Sequence, residues 1–136
     1  MATPSSLASK YGDSFYSYDC GGTYKWYLTQ YIETAREVGA IPVLVTPVSR
    51  LYYTNDGSIK PHHDSTDTTT GTLVTENNAY VEAVKQLAKE QNVLLIDGFE
   101  ITKNMYEEAY KADEKAANGK SVNGMQVMSA GDSTHS

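Results

Sequence analysis

The chain alternates stretches in which apolar residues recur with the period of an α-helix and short stretches that are apolar throughout. The first helical pattern runs from Tyr24 to Gly39, with Thr23 placed to cap its start and Gly39 to end it in a left-handed conformation. Later patterns predict helices over about residues 75–91 and 100–118. The apolar positions that predict the buried face of each helix are Leu28, Tyr31, Ile32, Ala35 and Val38; Tyr80, Val81, Val84, Leu87 and Ala88; and Ile101, Met105, Ala109, Ala112 and Ala116.

Two continuously apolar runs, residues 41–46 and 93–96, each follow a predicted helix. Such runs are typical of strands that helices bury on both faces of a parallel sheet. The order of elements favours right-handed crossovers, so we expect adjacent or near-adjacent parallel strands in one α/β domain spanning residues 1–136. Two strands leave both sheet edges open, which predicts self-association. Further strands are expected either in residues 1–22 and 120–130 or in a larger fold of which the chain is part.

A long polar stretch, residues 49–74, follows the first apolar run, and loops of this length inside a domain are usually functional or disordered. Its Asn-Asp-Gly sequence at residues 55–57 predicts a tight turn. His62, His63 and Asp64 are candidate metal ligands, but adjacent histidines point apart in an extended chain, so a solvated loop is favoured. Arg50 follows the first strand at the edge where open α/β sheets bind ligands, and an ordinary surface arginine is the alternative.

Composition narrows the classes of protein to consider. A length of 136 residues fits one domain, and a net charge of −6 argues against binding to nucleic acid or anionic membranes. No apolar run approaches the roughly 20 residues of a membrane-spanning helix, and the N-terminal sequence lacks the basic and apolar regions of a signal peptide. Cys20 is the single cysteine, which excludes an internal disulfide and leaves the compartment open. The 11 tyrosines suit sugar-facing surfaces, although half-buried tyrosines in place of phenylalanine are the simpler interpretation.

The final residues, GDSTHS, contain the sharpest polar pattern in the chain. Asp132 precedes His135 by three residues, a separation that lets a carboxylate in a loop curl back onto Nδ1 of the imidazole. A carboxylate in that position fixes the tautomer of a catalytic histidine and stabilises its protonated form. Asp132 is therefore a candidate to orient the imidazole, and His135 is a candidate catalytic base. The alternative is that both belong to a solvated polar tail.

Three segments in order, YIETAREVGAIPVLVTPVSR, AYVEAVKQLAKEQNVLLIDGFEITKNMYE and GDSTHS, resemble the C-terminal two-thirds of SGNH hydrolases, in particular GDSL-type esterases similar to rhamnogalacturonan acetylesterase. The motifs are a strand ending in Thr46-Pro47, a strand ending in Leu95-Ile96-Asp97, and the closing Asp-x-x-His. The resemblance covers about residues 24–136. It implies a three-layer α/β/α, flavodoxin-like fold with a parallel sheet, and a secreted esterase.

The resemblance also implies how such a chain would work. Ester hydrolysis by a Ser-His-Asp triad would use Asp132 as orienter and His135 as base, on a small-molecule or polysaccharide ester. No cofactor is expected, because the sequence contains no phosphate-binding glycine loop and no evident metal-ligand set.

The chain departs from the family pattern at its start. The family opens with an apolar strand that runs into Gly-Asp-Ser, whereas Ser14 in YGDSFY follows a polar segment. The family's glycine and Gly-x-Asn-Asp donors are not found before Thr46-Pro47. The simplest alignment leaves out those N-terminal blocks, together with the helix that follows the histidine.

These departures leave two functions open: an esterase that deacetylates a polysaccharide, or a non-catalytic carbohydrate-binding or interaction fragment on the same scaffold. Whether Ser14 is the nucleophile also stays open. The chain alone is expected to hydrolyse simple acetate esters poorly or not at all, because a triad loses most of its rate when one member is missing.

Overall fold

The computed structural model describes residues 24–63 and 78–118, and the backbone of four two-residue strands at 65–66, 73–74, 121–122 and 125–126. Its larger elements are two helix–strand units followed by two helices. In chain order, with the short strands included, they are α1 (Lys25–Glu37), β1 (Val43–Val45), β2 (Ser65–Thr66), β3 (Leu73–Val74), α2 (Ala79–Glu90), β4 (Leu94–Ile96), α3 (Gly98–Ala112), α4 (Glu114–Asn118), β5 (Ser121–Val122) and β6 (Met125–Gln126).

The two apolar runs form a parallel pair of strands, which confirms the central prediction from the sequence. Strand β1 pairs with β4 in the register Val43 to Leu94, Leu44 to Leu95 and Val45 to Ile96. The remaining short strands form two antiparallel pairs, β2 with β3 and β5 with β6. Helices and a parallel strand pair of this kind agree with part of the α/β fold of SGNH hydrolases.

The main core lies between α1, α2 and one face of the β1–β4 sheet. Ile32 from α1, Leu44 from β1, and Val84 and Leu87 from α2 form this core together with Ala88 and Val93. Burying each large aliphatic side chain contributes roughly 1.5–3 kcal/mol, so this cluster holds the helices on the sheet. The buried face of α2 is the one that its apolar period predicts.

The opposite face of the sheet differs from the expectation of strands buried on both faces. Val43, Val45, Leu94 and Ile96 are each between 46% and 64% exposed, and we call them the open sheet face. In a parallel pair, residues in register share a face, so these four side chains point away from Leu44. Within the described part of the chain, α1 and α2 cover the side of Leu44, and this explains the asymmetry.

Helix α1 is rotated relative to the prediction. Tyr31 and Val38 are exposed, whereas Lys25, Thr29 and Ile32 are buried. Lys25 Nζ lies 3.0 Å from Glu90 Oε1 and 3.4 Å from Gln86 Oε1. The Thr29 hydroxyl donates to the backbone carbonyl oxygen of Lys25 at 2.8 Å. The buried lysine therefore has charge and hydrogen-bond partners on α2, and a pattern of apolar residues does not detect such a contact. The predicted end at Gly39 is confirmed by its φ of +75°, while the cap at Thr23 lies outside the described residues.

Helix α3 is also rotated, and it is shorter than predicted. Its buried residues are Gly98, Phe99 and Tyr106, and the expected core positions Ile101 and Met105 are exposed. Tyr106 packs with Leu51 and Ile59 in a second cluster beneath the loop after β1. The helix ends at Ala112, and the Asp113 side chain, by accepting from the Ala116 N–H at 3.0 Å, begins a separate helix.

The Asn-Asp-Gly turn is present and closes a small hairpin. Tyr53 and Ile59 form an antiparallel bridge, and the Gly57 N–H donates to the Thr54 carbonyl at 3.1 Å. Gly57 has a φ of +84°, a left-handed conformation that favours glycine. Among the described residues, no helix combines the length and apolar character needed to cross a bilayer.

Candidate active site

The predicted catalytic residues lie outside the part of the chain that the structure describes. Asp132, His135 and the nucleophile candidate Ser14 are all in this group, as is the metal-ligand candidate Asp64. Their roles therefore stay predictions. The described residues instead define the edge of the sheet at which such a site would be built.

Both strand motifs from the sequence meet at this edge. Thr46 follows β1 and Asp97 follows β4, and the Thr46 Oγ1 hydroxyl donates to Asp97 Oδ1 at 2.9 Å. The same Thr46 Oγ1 accepts from the Phe99 N–H at 2.9 Å. Gly98 lies so close that an added Cβ would be 3.1 Å from the Thr46 carbonyl oxygen. The start of α3 is thus fastened to the end of β1.

Asp97 is held as a structural carboxylate. Its Oδ1 accepts from the Glu100 N–H at 3.1 Å, which caps α3, and its Oδ2 lies 3.0 Å from Lys85 Nζ. Burial alone would raise the pKa of Asp97, but the hydrogen bonds from Glu100, Lys85 and Thr46 outweigh it and lower that pKa. The Asp97 carboxylate is ionised, and both of its oxygens are bonded to groups of the fold. It therefore positions the helix and is a poor general base.

A second link uses buried hydroxyl groups. The N–H and the hydroxyl of Ser49 both donate to Thr102 Oγ1, at 3.0 Å and 3.1 Å. The Thr102 hydroxyl in turn donates to the Gly98 carbonyl at 2.7 Å. Ser49 is fully buried, so it belongs to this framework and has no access to an ester substrate.

The two histidines are packed against the same edge, which corrects the prediction of a solvated loop with rings pointing apart. Their ring centroids are 3.9 Å apart, and both residues are half-buried. His63 Nε2 lies 2.6 Å from the Val48 carbonyl oxygen, a distance that requires the proton on Nε2. The His63 ring also meets Phe99 edge-on at 6.0 Å. The loop that leaves β1 therefore returns to its starting point.

Arg50 lies next to Ser49 with an exposed side chain, as either interpretation of its role requires. In the described part of the chain, no group of three or more His, Cys, Asp or Glu residues is placed to hold a metal ion. The contacts that sequence reasoning missed are those of Lys85 and Thr102. The apolar pattern gave no signal for either, since Lys85 lies near the middle of α2 and Thr102 one turn after the start of α3, both outside the apolar faces predicted for these helices.

The described polar groups are collected at the carboxyl ends of two parallel strands, which is the edge at which open α/β folds bind their ligands. The chain is 41% identical over 93 residues to the probable rhamnogalacturonan acetylesterase YesY of Bacillus subtilis (strain 168), a match covering 68% of this chain and 35% of that protein. It is 39% identical over 92 residues to the rhamnogalacturonan acetylesterase RhgT of the same organism, covering 68% and 33%. No family model and no solved structure matches.

The chain thus spans about a third of the length of the curated relatives that it matches. Within that part, it is related in sequence to SGNH-type rhamnogalacturonan acetylesterases, which confirms the resemblance drawn from the strand motifs.

Proposed function

We propose that this chain takes part in carboxylic-ester hydrolysis of the SGNH type, and that its substrate is an acetylated polysaccharide. The single observation that supports this most directly is the identity of about 40% to two proteins named as rhamnogalacturonan acetylesterases. The strand-end framework of Thr46, Asp97 and Thr102 supports it further, because a catalytic loop needs a rigid edge to hold its geometry.

In the proposed mechanism, the Asp132 carboxylate accepts the Nδ1–H of His135 and leaves Nε2 to act as base. His135 takes the proton of a serine hydroxyl as the serine oxygen attacks the acetyl carbonyl. The protonated imidazole then gives that proton to the departing sugar oxygen, and an acetyl-serine forms. Water attacks this intermediate with the same base, which releases acetate and restores the serine.

Within this chain the candidate for that serine is Ser14, because Gly12-Asp13-Ser14 matches the family motif, and the labelling test below decides whether it is the nucleophile. Its neighbours in sequence are polar, so the family's apolar strand does not precede it. We therefore expect poor turnover of p-nitrophenyl acetate, and slow release of acetate from acetylated rhamnogalacturonan oligosaccharides that depends on His135.

The test compares acetate release at pH near 8 by the wild type, His135→Ala and Ser14→Ala, with Thr134→Ala and Ser17→Ala as matched controls. Removing one member of a catalytic triad lowers the rate by roughly 10⁴-fold or more, so His135→Ala should fall to background while Thr134→Ala does not. A fluorophosphonate label should attach to the wild type and fail to attach to Ser14→Ala. Equal rates in all five proteins would remove the basis for catalysis.

A second function, non-catalytic carbohydrate binding on the same scaffold, is favoured by one specific observation. At the described strand ends, Ser49 is buried and bonded to Thr102, and Thr46 is buried and bonded to Asp97. Neither hydroxyl is placed to attack a substrate. Sugar binding without acetate release would support this alternative.

A further inference from the structure

Helix α1 presents an exposed aromatic groove on the side facing away from the main core. The groove is open to solvent and has a volume of about 350 Å³; the described residues that line it are Trp26, Tyr27, Gln30, Tyr31 and Thr34. Trp26, Gln30 and Thr34 follow one another at intervals of four residues, as do Tyr27 and Tyr31, so all five share one helix surface. Its volume lies at the small end of the roughly 300–1,000 Å³ that is typical of ligand pockets.

Two of the three rings of this groove, Tyr27 and Tyr31, are exposed, and Trp26 is half-buried. The buried side of α1 is formed by Lys25, Thr29 and Ile32, whereas Tyr27 is 55% exposed and Tyr31 is 74% exposed. The Trp26 and Tyr27 rings meet edge-on with centroids 4.8 Å apart, so each limits the movement of the other. Aromatic surface that is exposed in one contiguous patch marks an interaction site more often than scattered apolar residues do.

The chemistry of the lining selects the class of ligand. None of the five described lining side chains is charged, so they offer no cation to a phosphate or a carboxylate; the nearest described charge contact is Glu33, whose Oε2 accepts from the Gln30 amide at 3.5 Å. Three aromatic faces alternate with the Gln30 amide and the Thr34 hydroxyl, and the tyrosine hydroxyls lie at the ring tips. A pyranose ring matches this arrangement, because its C–H face can stack on an aromatic ring while its hydroxyls bond to the amide and hydroxyl groups. An apolar protein surface would leave those polar groups unpaired.

We propose that this groove is a binding site for uncharged faces of sugar residues in a polysaccharide chain, separate from the strand-end edge. It would hold the polymer on the protein without touching the reacting ester. That the polymer is a rhamnogalacturonan rests on the proposed function, whereas the preference for pyranose rings rests on the lining alone.

Trp26 is the only tryptophan in the chain, so its fluorescence reports directly on this groove. The experiment titrates the full chain with de-esterified rhamnogalacturonan oligosaccharides at physiological salt and follows tryptophan emission. These ligands contain no acetyl ester, so binding is measured whether or not the chain is an esterase. The wild type should show a saturable change in emission.

The Tyr31→Ala variant should bind roughly tenfold more weakly, because aromatic anchors contribute most of the energy of a contact. Tyr52→Ala, which removes another exposed tyrosine outside the groove, should bind as the wild type does. Far-ultraviolet circular dichroism and the thermal midpoint should be the same for all three, since both substituted side chains are exposed and outside the core.

Three outcomes would overturn the proposal. The first is the absence of any saturable change in emission, and the second is equal affinity for the wild type and Tyr31→Ala. The third is self-association of the wild type in sedimentation velocity that Tyr31→Ala abolishes and the sugar does not affect, which would make the groove a protein interface. Failure of the esterase proposal alone would leave the emission titration unchanged.

Discussion

At the scale of single residues, Gly57 is the most constrained of the described glycines. Its φ is +84°, and a Cβ built at this position would overlap the ring of Tyr110. We expect Gly57→Ala to lower the free energy of unfolding by about 2–4 kcal/mol, from backbone strain and overpacking together. Urea unfolding monitored by circular dichroism measures this loss.

Gly39 is the matched control for that prediction. Its φ of +75° is similar, but an added Cβ would meet no atom within 4 Å. Gly39→Ala should therefore cost only the backbone term, about 1 kcal/mol. Adding Tyr110→Ala to Gly57→Ala should recover part of the loss. Equal losses for the two glycine variants would show that the contact with Tyr110 is unimportant.

The buried Lys25 supports a second prediction at this scale. Its side chain is 2% exposed and its charge faces Glu90, which is partly exposed. Glu90→Gln keeps the shape but removes the charge, and we expect it to lower the free energy of unfolding by about 1–3 kcal/mol. Glu108→Gln, in the exposed pair with Lys111, should have no measurable effect, and similar losses for both variants would contradict the argument.

At the scale of elements, the sequence predicts which segments are helix and strand better than it predicts which way they face. The parallel pairing of β1 and β4 follows from two unbroken apolar runs, and no competing pattern exists in those segments. The orientation of α1 and α3 depends instead on Lys25, Thr29 and Thr102, whose polar groups are satisfied inside the fold. A prediction from apolar periodicity assigns such residues to the surface. The buried face that it predicts for each helix is therefore rotated by a fraction of a turn from the observed one.

The junction of β4 and α3 should make stability depend on pH through Asp97. Its pKa is lowered from the ordinary value of 3.8, so the folded state favours the ionised carboxylate. The stabilisation is therefore complete above about pH 4–5 and is lost as the pH falls from 3.8 through the lower pKa of the folded state. Measured between pH 7 and pH 2, the stability difference between the wild type and Asp97→Asn should shrink toward low pH. A difference that stays constant over this range would show that ionisation of Asp97 is not linked to folding.

At the scale of the whole molecule, some contacts at the strand-end edge can be predicted from the sequence and others cannot. The Thr46-Pro47 and Leu95-Ile96-Asp97 motifs predict that two strand ends meet, and the hydrogen bond between Thr46 and Asp97 shows how they are joined. The contacts of His63 with Val48 and Phe99 could not be predicted, because they depend on the loop returning over 15 residues to its start. The pair Asp132 and His135 remains a prediction from sequence spacing and family resemblance.

The open sheet face predicts that the whole molecule associates with copies of itself. Val43, Val45, Leu94 and Ile96 expose apolar surface beside strands whose pairing, within the described chain, ends at two strands. Unpaired strand edges and contiguous apolar surface both favour pairing between copies. Sedimentation velocity of the purified chain should therefore show a weight-average mass that rises with concentration.

The substitution Val45→Lys tests whether the open sheet face causes this association. Val45 is 54% exposed, so a lysine can be accommodated without disturbing the core, but its charge would have to lose water in a contact between sheets. We expect the dissociation constant to rise by at least about tenfold. Val38→Lys places the same charge at an exposed apolar position just after α1 and should leave association unchanged. A wild type that stays monomeric at every concentration, or an equal response to both lysines, would show that the open sheet face does not drive assembly.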